Sequence, residues 1–214
     1  MDNRIVVHYN ERVSLIEKNW GIILKRIEYK KIVFTIILLV INIGVFVVVS
    51  FLGGQTGIRE MLTWAALHDH AVIFHQEYYR FITSFFVHFD VEHLGHNMLM
   101  LGALGYNLEL EKGHIKFILI YFLSGLGGNL VSFGIRQMMG QVVMSGGASG
   151  AVFGLMGALL GTYLKYRRPI GRMTGRGILI MVAFSIYFGF VSSGVDNAAH
   201  IGGLITGFII SLLM

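Results

Sequence analysis

Residues 33–52 read VFTIILLVINIGVFVVVSFL, an apolar run without a single charged side chain. A helix needs roughly 20 such residues to cross a bilayer. Five further apolar stretches follow at residues 94–110, 115–135, 147–164, 178–191 and 198–214. The second is interrupted by His96, Asn97 and Glu109, and the fifth is short, so its helix is expected to extend into its flanks. The pattern predicts an all-α fold: a polytopic membrane protein built as a bundle of six transmembrane helices over residues 33–214. The connections are unequal, about forty residues at 53–93 and only six at 192–197. The long first loop holds Trp64, Phe74, Tyr78, Tyr79, Phe81, Phe85 and Phe86. So aromatic a segment predicts a structured loop lying partly in the bilayer interface, where such rings concentrate. Residues 1–32 are polar and of mixed charge, with no cleavable signal peptide visible. They read as a small cytoplasmic extension with a short amphipathic helix around residues 13–27.

Composition agrees with the pattern. Hydrophobic residues make up 55% of the 214 residues and charged ones 14%, with 28 Gly and a single Pro. Glycine at this level suits membrane helices whose backbones approach closely. A sequence pI near 9.5 raises nucleic-acid binding as a possibility. The basic residues instead flank apolar spans: Lys18, Lys25, Arg26, Lys30 and Lys31 before the first, and Lys165, Arg167, Arg168, Arg172 and Arg176 between the fourth and fifth. Such clusters mark cytoplasmic loops. Six alternating spans put both clusters and both termini on the cytoplasmic side, with the first and fifth loops outside. The fourth and sixth spans then descend from the same outer surface. The chain has no Cys, which excludes disulfides and thiolate metal sites.

The polar residues inside the apolar stretches carry the candidate chemistry. The fourth span opens on Gly147, Ala148, Ser149 and Gly150, and Gly150, Gly154, Gly157 and Gly161 share one helical face. By itself Ser149 is readable as one more small residue in a packing stripe. The sixth span carries His200 beside a second small stripe of Ala199, Gly203 and Gly207. An ionisable residue within a membrane helix is costly and is a functional candidate by default. A serine near the outer end of one glycine-rich helix and a histidine near the outer end of another make a nucleophile and its general base. The second span begins with His93, His96 and Asn97. His93 and Asn97 are four residues apart on one helical face, and both can donate hydrogen bonds. They are candidates for stabilising an oxyanion, with interhelical polar contact as the alternative. Asp196, four residues before His200, is a candidate to orient that ring, but its place in the short fifth loop favours a solvated carboxylate that complements the helix dipole. His68, Asp69, His70 and His75 lack a helical ligand spacing, and the segment around His93 is not His-Glu-x-x-His, so no metal or other cofactor is expected. His8 and His114 read as surface residues.

Together these residues resemble the rhomboid family of intramembrane proteases, over residues 79–207. Gly147-Ala148-Ser149-Gly150 is similar to the family's Gly-x-Ser-Gly motif, and the run from Ala199 to Gly207 to its Ala-His-x-x-Gly-x-x-x-Gly motif. His93 and Asn97 match His-x-x-x-Asn, while Glu109 to Gly113 resembles Glu-x-x-x-Gly. Tyr79-Arg80 stands where the family has Trp-Arg, and His88 precedes the second span at the family's distance. The resemblance implies a rhomboid-like six-helix bundle with Ser149 and His200 as a catalytic dyad. It also implies an oxyanion hole of His93, Asn97 and the Ser149 backbone. Gly147, Gly150 and Phe153 would support the dyad or substrate pocket, and Arg80, His88, Glu109, Gly203 and Gly207 would serve structure. Phe153 replaces a Tyr common in the family; its ring can still stack on His200, without a phenol hydrogen bond. The implied activity is serine endopeptidase cleavage in or beside the transmembrane segments of membrane-protein substrates. The implied surroundings are the lipid bilayer of the cell membrane, without nucleic acid or metal. A non-catalytic protein that binds transmembrane helices is the main alternative. A transporter is a more distant one, since midplane polar groups and an internal repeat are not found.

Overall fold

The computed structural model describes residues 31–214, apart from the side chains of residues 52–58 and 61. The helix expected around residues 13–27 and His8 lie outside the described residues. Ile32–Met214 forms one compact unit. In chain order its helices are α1 Val33–Ala65, α2 Asp69–His75, α3 Arg80–Thr83, α4 Val91–Lys112, α5 His114–Met138, α6 Ser149–Tyr166, α7 Gly175–Val191 and α8 Asn197–Leu213. Two short strands, β1 Leu67–His68 and β2 Met144–Ser145, pair antiparallel.

The six long helices among the described residues fall on the six apolar stretches; four run further than their stretches, and the helices at 149–166 and 197–213 are shifted by one or two residues. The first differs most. Its helix continues for 13 residues beyond Leu52, to Ala65. Hydropathy ends at residue 52, but helix-forming residues such as Arg59, Glu60 and Leu62 follow without a proline, and nothing stops the backbone. The first loop therefore begins at residue 66. It is structured, folding into β1, α2, α3 and a single 3-10 turn at Ser84–Phe86.

Burial follows helical periodicity. On α4 the buried residues are Leu94, Asn97, Met98, Leu101, Leu104, Gly105, Leu108 and Glu109, one face read at steps of three and four. On α6 almost the whole circumference is buried, so α6 is the central helix. Its neighbour α8 packs on it through glycines. A Cβ on Gly203 would run into the Gly150 carbonyl, and one on Gly207 into the Gly154 carbonyl. Only hydrogen fits at these positions, which is how small residues draw membrane helices together. The outer surface is apolar, with Val40, Phe51, Leu99, Ile115, Phe184, Tyr187 and Leu213 all exposed. Residues 33–51 and 114–138 are each long and apolar enough to cross a membrane. The alternation of the helices is also visible. Lys112 at the end of α4, Lys116 near the start of α5 and Lys165 at the end of α6 donate to carbonyls of Ser211, Met214 and Leu212 at the end of α8. The starts of α4, α6 and α8 therefore share the opposite end.

Candidate active site

Ser149 is the first residue of α6 and is half-buried. The first N–H groups of a helix have no carbonyl partner within it and lie at the positive end of the helix dipole, so the backbone around Ser149 offers donors to an anion. The approach to α6 is tied to the first loop twice. Met144 and Ser145 pair with His68 and Leu67, and the Gly147 N–H donates to the Ser84 carbonyl at 2.9 Å. Gly147 has φ +124, a region open to glycine and strained for other residues.

His200 lies in the first turn of α8. Its N–H donates to the Asp196 carbonyl at 3.1 Å, and its ring stacks flat on Phe153 with centroids 4.1 Å apart and planes 11° from parallel. Phe153 is one turn after Ser149, so this stack places the imidazole beside the start of α6. Backbone packing reinforces it: the position of a Cβ on Gly150 lies 3.6 Å from the Ala199 carbonyl. His200 Nδ1 is buried and has no hydrogen-bond partner. Among the described residues Ser149 and His200 do not bond to each other.

His93 and Asn97 meet the same place from α4. A Cβ on Gly147 would lie 2.7 Å from His93 Nε2 and 3.9 Å from Asn97 Nδ2. Phe89 stacks on His93 with planes 11° apart, His88 meets it edge-on at 5.1 Å, and the Asp90 side chain accepts from the His93 N–H at 2.7 Å. Asn97 Nδ2 donates to the His93 carbonyl at 2.9 Å, which leaves the second amide hydrogen free. His88 is fully buried, with neither ring nitrogen bonded. Burial, and then the nearby His93, push its pKa down to about 4, so it is neutral at pH 7. His96, on the same helix, is exposed.

The remaining residues singled out in the sequence lie away from this point. Arg80 is buried and holds the first loop together, donating to the Ala66 carbonyl at 2.8 Å and pairing with Glu77 at 2.5 Å. The bond from Arg80 lowers the Glu77 pKa. Glu109 accepts from the N–H groups of Phe34 and Thr35 and from the Thr35 hydroxyl. It thus caps the start of α1 from another helix, where α1 has no side-chain cap of its own. His114 is not simply a surface residue, because its Nδ1 lies 2.6 Å from Glu109 Oε1. Asp196 is not a solvated loop carboxylate either. It caps α8 through the Ala199 N–H at 2.9 Å and pairs with Arg136 at 3.0 Å. Asp69, noted only beside its histidines, is fully buried against the same Arg136. No group of three or more metal-ligating side chains occurs among the described residues. The Arg136 cluster was missed in the sequence. The available signal was slight, a lone cation just past the end of the 115–135 stretch and apart from the basic clusters.

An apolar groove of about 440 Å³ runs between α1 and the start of α4, lined by Phe46, Val47, Ser50, Phe51, Phe89, Asp90 and Val91. Its lining includes neither Ser149 nor His200. It meets the candidate site at Phe89, whose ring stacks on His93, and at Asp90, which accepts from the His93 N–H.

The family described as Rhomboid domain matches residues 75–214. Rhomboid protease GluP of Bacillus subtilis (strain 168) is 34% identical over 175 residues, which cover 82% of this chain and 33% of that protein. RHOMBOID-like protein 6, mitochondrial, of Arabidopsis thaliana is 36% identical over 168 residues, covering 77% of this chain and 52% of its own. RHOMBOID-like protein 1 of the same plant is 34% identical over 152 residues, 69% of this chain and 37% of its own. The chain therefore spans between a third and about half of the length of these relatives.

Proposed function

This chain belongs to the rhomboid family of membrane proteins, and from that premise we propose that it is an intramembrane serine endopeptidase. Ser149 is its nucleophile and His200 its general base. The observation that carries this reading is the junction of three helix starts. His200 stacks on Phe153 of α6, and His93 of α4 lies against Gly147, two residues before Ser149.

The chemistry follows from those positions. Ser149 Oγ attacks the scissile carbonyl carbon while His200 takes its proton. Negative charge gathers on the carbonyl oxygen, where His93, the free Asn97 amide hydrogen and the N–H groups at the start of α6 donate to it. Collapse breaks the C–N bond, and His200 gives its proton to the leaving amine. Water, deprotonated by His200, then attacks the acyl-enzyme, and the proton returns to Ser149. A helical substrate must unwind locally first, because its carbonyls are engaged along the helix. The substrates are accordingly transmembrane segments with weak helical stretches.

In this reading residues 33–214 are the catalytic membrane domain of six spans and residues 1–32 a cytoplasmic extension. The protein sits in the cell membrane with both ends of this chain in the cytoplasm and the dyad open to the extracytoplasmic side. The basic residues at the opposite end of the bundle support that orientation. One observation favours a non-catalytic protein that binds transmembrane helices: Ser149 and His200 do not bond among the described residues. Catalytic hydrogen bonds often tighten only with substrate, so the protease remains the better reading.

The test is cleavage of a model transmembrane substrate by the reconstituted protein. Ser149→Ala and His200→Ala should each abolish cleavage while leaving substrate binding intact. Cleavage undiminished in Ser149→Ala would remove the proposed mechanism.

A further inference from the structure

Four polar residues from three parts of the chain meet beside the start of α8. Arg136, near the end of α5, is 6% exposed, and Asp69, at the start of α2 in the first loop, is 0% exposed. Their pairing is bidentate, Arg136 Nε to Asp69 Oδ2 at 2.8 Å and Nη2 to Oδ1 at 2.8 Å. The Val143 N–H adds a third bond to Asp69 at 3.2 Å, from the segment leading to Ser149. The remaining arm of the guanidinium, Nη1, donates to Asp196 Oδ2 at 3.0 Å and to the Ser132 hydroxyl. Ser132 in turn donates to Asp196, its Oγ lying 2.7 and 2.6 Å from the two carboxylate oxygens.

Asp196 delivers this cluster to the proposed base. Its side chain accepts from the Ala199 N–H, and its carbonyl accepts from the N–H of His200 itself. Beyond this cluster, the opening of α8 is held by the His200–Phe153 stack and by one neutral bond, from Asn197 Nδ2 to the Gly189 carbonyl at 2.9 Å. Ala198, Ala199, Gly202 and Gly203 present no side chain long enough to interlock, and backbone-to-backbone packing of small residues allows one helix to turn or slide on another. A guanidinium fork fixes direction as well as distance. A buried ion cluster is weak as a source of stability, since desolvation offsets its attraction, and its recognised use is to specify one arrangement over others.

We propose that Arg136, gripped by Asp69 and bonded to Asp196, is a positioning residue for the reaction: it locks the first turn of α8 and thereby sets the His200 ring against Ser149. The inference rests on the reading of Ser149 and His200 as the dyad. Neither Arg136 nor its carboxylates touches the substrate. The first loop, the end of α5 and the start of α8 act as one frame, and the ring height of His200 follows from where Asp69 holds Arg136.

Asp196→Asn isolates this role, because Asn caps a helix as well as Asp does and the Asp69–Arg136 fork stays intact. The full chain is reconstituted, and four quantities are read: kcat and KM for a transmembrane substrate, the rate at which a fluorophosphonate labels Ser149, and the thermal midpoint. Small misplacements of a catalytic group cost up to about 100-fold in rate, so kcat and labelling should fall together by about tenfold in Asp196→Asn. KM should hold, and the thermal midpoint should drop little. Ser132→Ala, a milder change that removes one bridge, should lower both rates about threefold, on the same principle. Arg136→Lys keeps the charge without the fork and should fall between Arg136→Gln and wild type. Wild-type labelling and kcat in Asp196→Asn and Ser132→Ala would overturn the positioning role, as would a raised KM with kcat unchanged. If wild type itself were neither active nor labelled at Ser149, the dyad reading would fail and the positioning role with it.

Discussion

At the end of the bundle where α4, α6 and α8 finish, charged side chains tie the helices together, and the unpartnered buried group there, among the described residues, is a hydroxyl, that of Thr162. Glu109 collects two backbone N–H groups, a hydroxyl and an imidazole, three lysines donate to the last carbonyls of α8, and Arg168 forks onto Glu111. At the end where those helices begin, His88 and His200 leave ring nitrogens unbonded in buried surroundings. Buried polar groups are usually satisfied because leaving one bare costs free energy. The difference separates scaffold from chemistry. One end fastens helices together, whereas on the proposed reading the other keeps nitrogens available for a reacting group and takes its rigidity from the Arg136 cluster.

Substitutions at the two ends should therefore fail differently. The largest loss of turnover is expected for Gly203→Val, whose branched side chain meets the Gly150 carbonyl and forces α6 from α8. A displacement of about 1 Å costs on the order of 100-fold in rate, and overpacking adds about 1–3 kcal/mol of destabilisation; cleavage and thermal denaturation assays check both. Gly147→Ala should follow, with turnover reduced by about 30-fold on the same geometric ground. Its Cβ would press on His93 Nε2 and its φ would be strained, so the loss should appear in kcat for substrates of any sequence. Glu109→Gln reverses the pattern. It weakens the cap on α1 and should cost about 1–3 kcal/mol of stability by leaving donors underserved. Turnover per folded molecule should change less than about twofold, because Glu109 holds the other end. Smallest of all is Phe153→Tyr, which keeps the ring stacked on His200 and should leave turnover within about twofold of wild type and stability unchanged, given how weakly near-isosteric ring changes act. A larger catalytic loss in Glu109→Gln than in Gly147→Ala would erase the distinction between the ends.

The two ends were not equally legible in the sequence. The apolar stretches gave the number and order of the long helices, because burial of backbone polar groups leaves a helix little choice in an apolar surrounding. Ser149, His200 and Asn97 stand out as candidates because each interrupts such a stretch near an end, and His93 because it immediately precedes one. The extension of α1 to Ala65 could not, since hydropathy falls at residue 52 while helix propensity does not. Nor could the Arg136 cluster. Residues 69, 136 and 196 are far apart in sequence, and each, taken alone, is an ordinary charge near a loop. Their bond is a property of the tertiary fold, as is the bond of His114 to Glu109.

The central claim is that Ser149 is the activated nucleophile, and active-site labelling tests it most directly. The reconstituted protein is treated with a serine-directed fluorophosphonate, digested and mapped by mass spectrometry. The account predicts a single phosphonylated serine, Ser149, and no label in His200→Ala. Modification of another serine with Ser149 untouched, or undiminished labelling of Ser149 without His200, would contradict it.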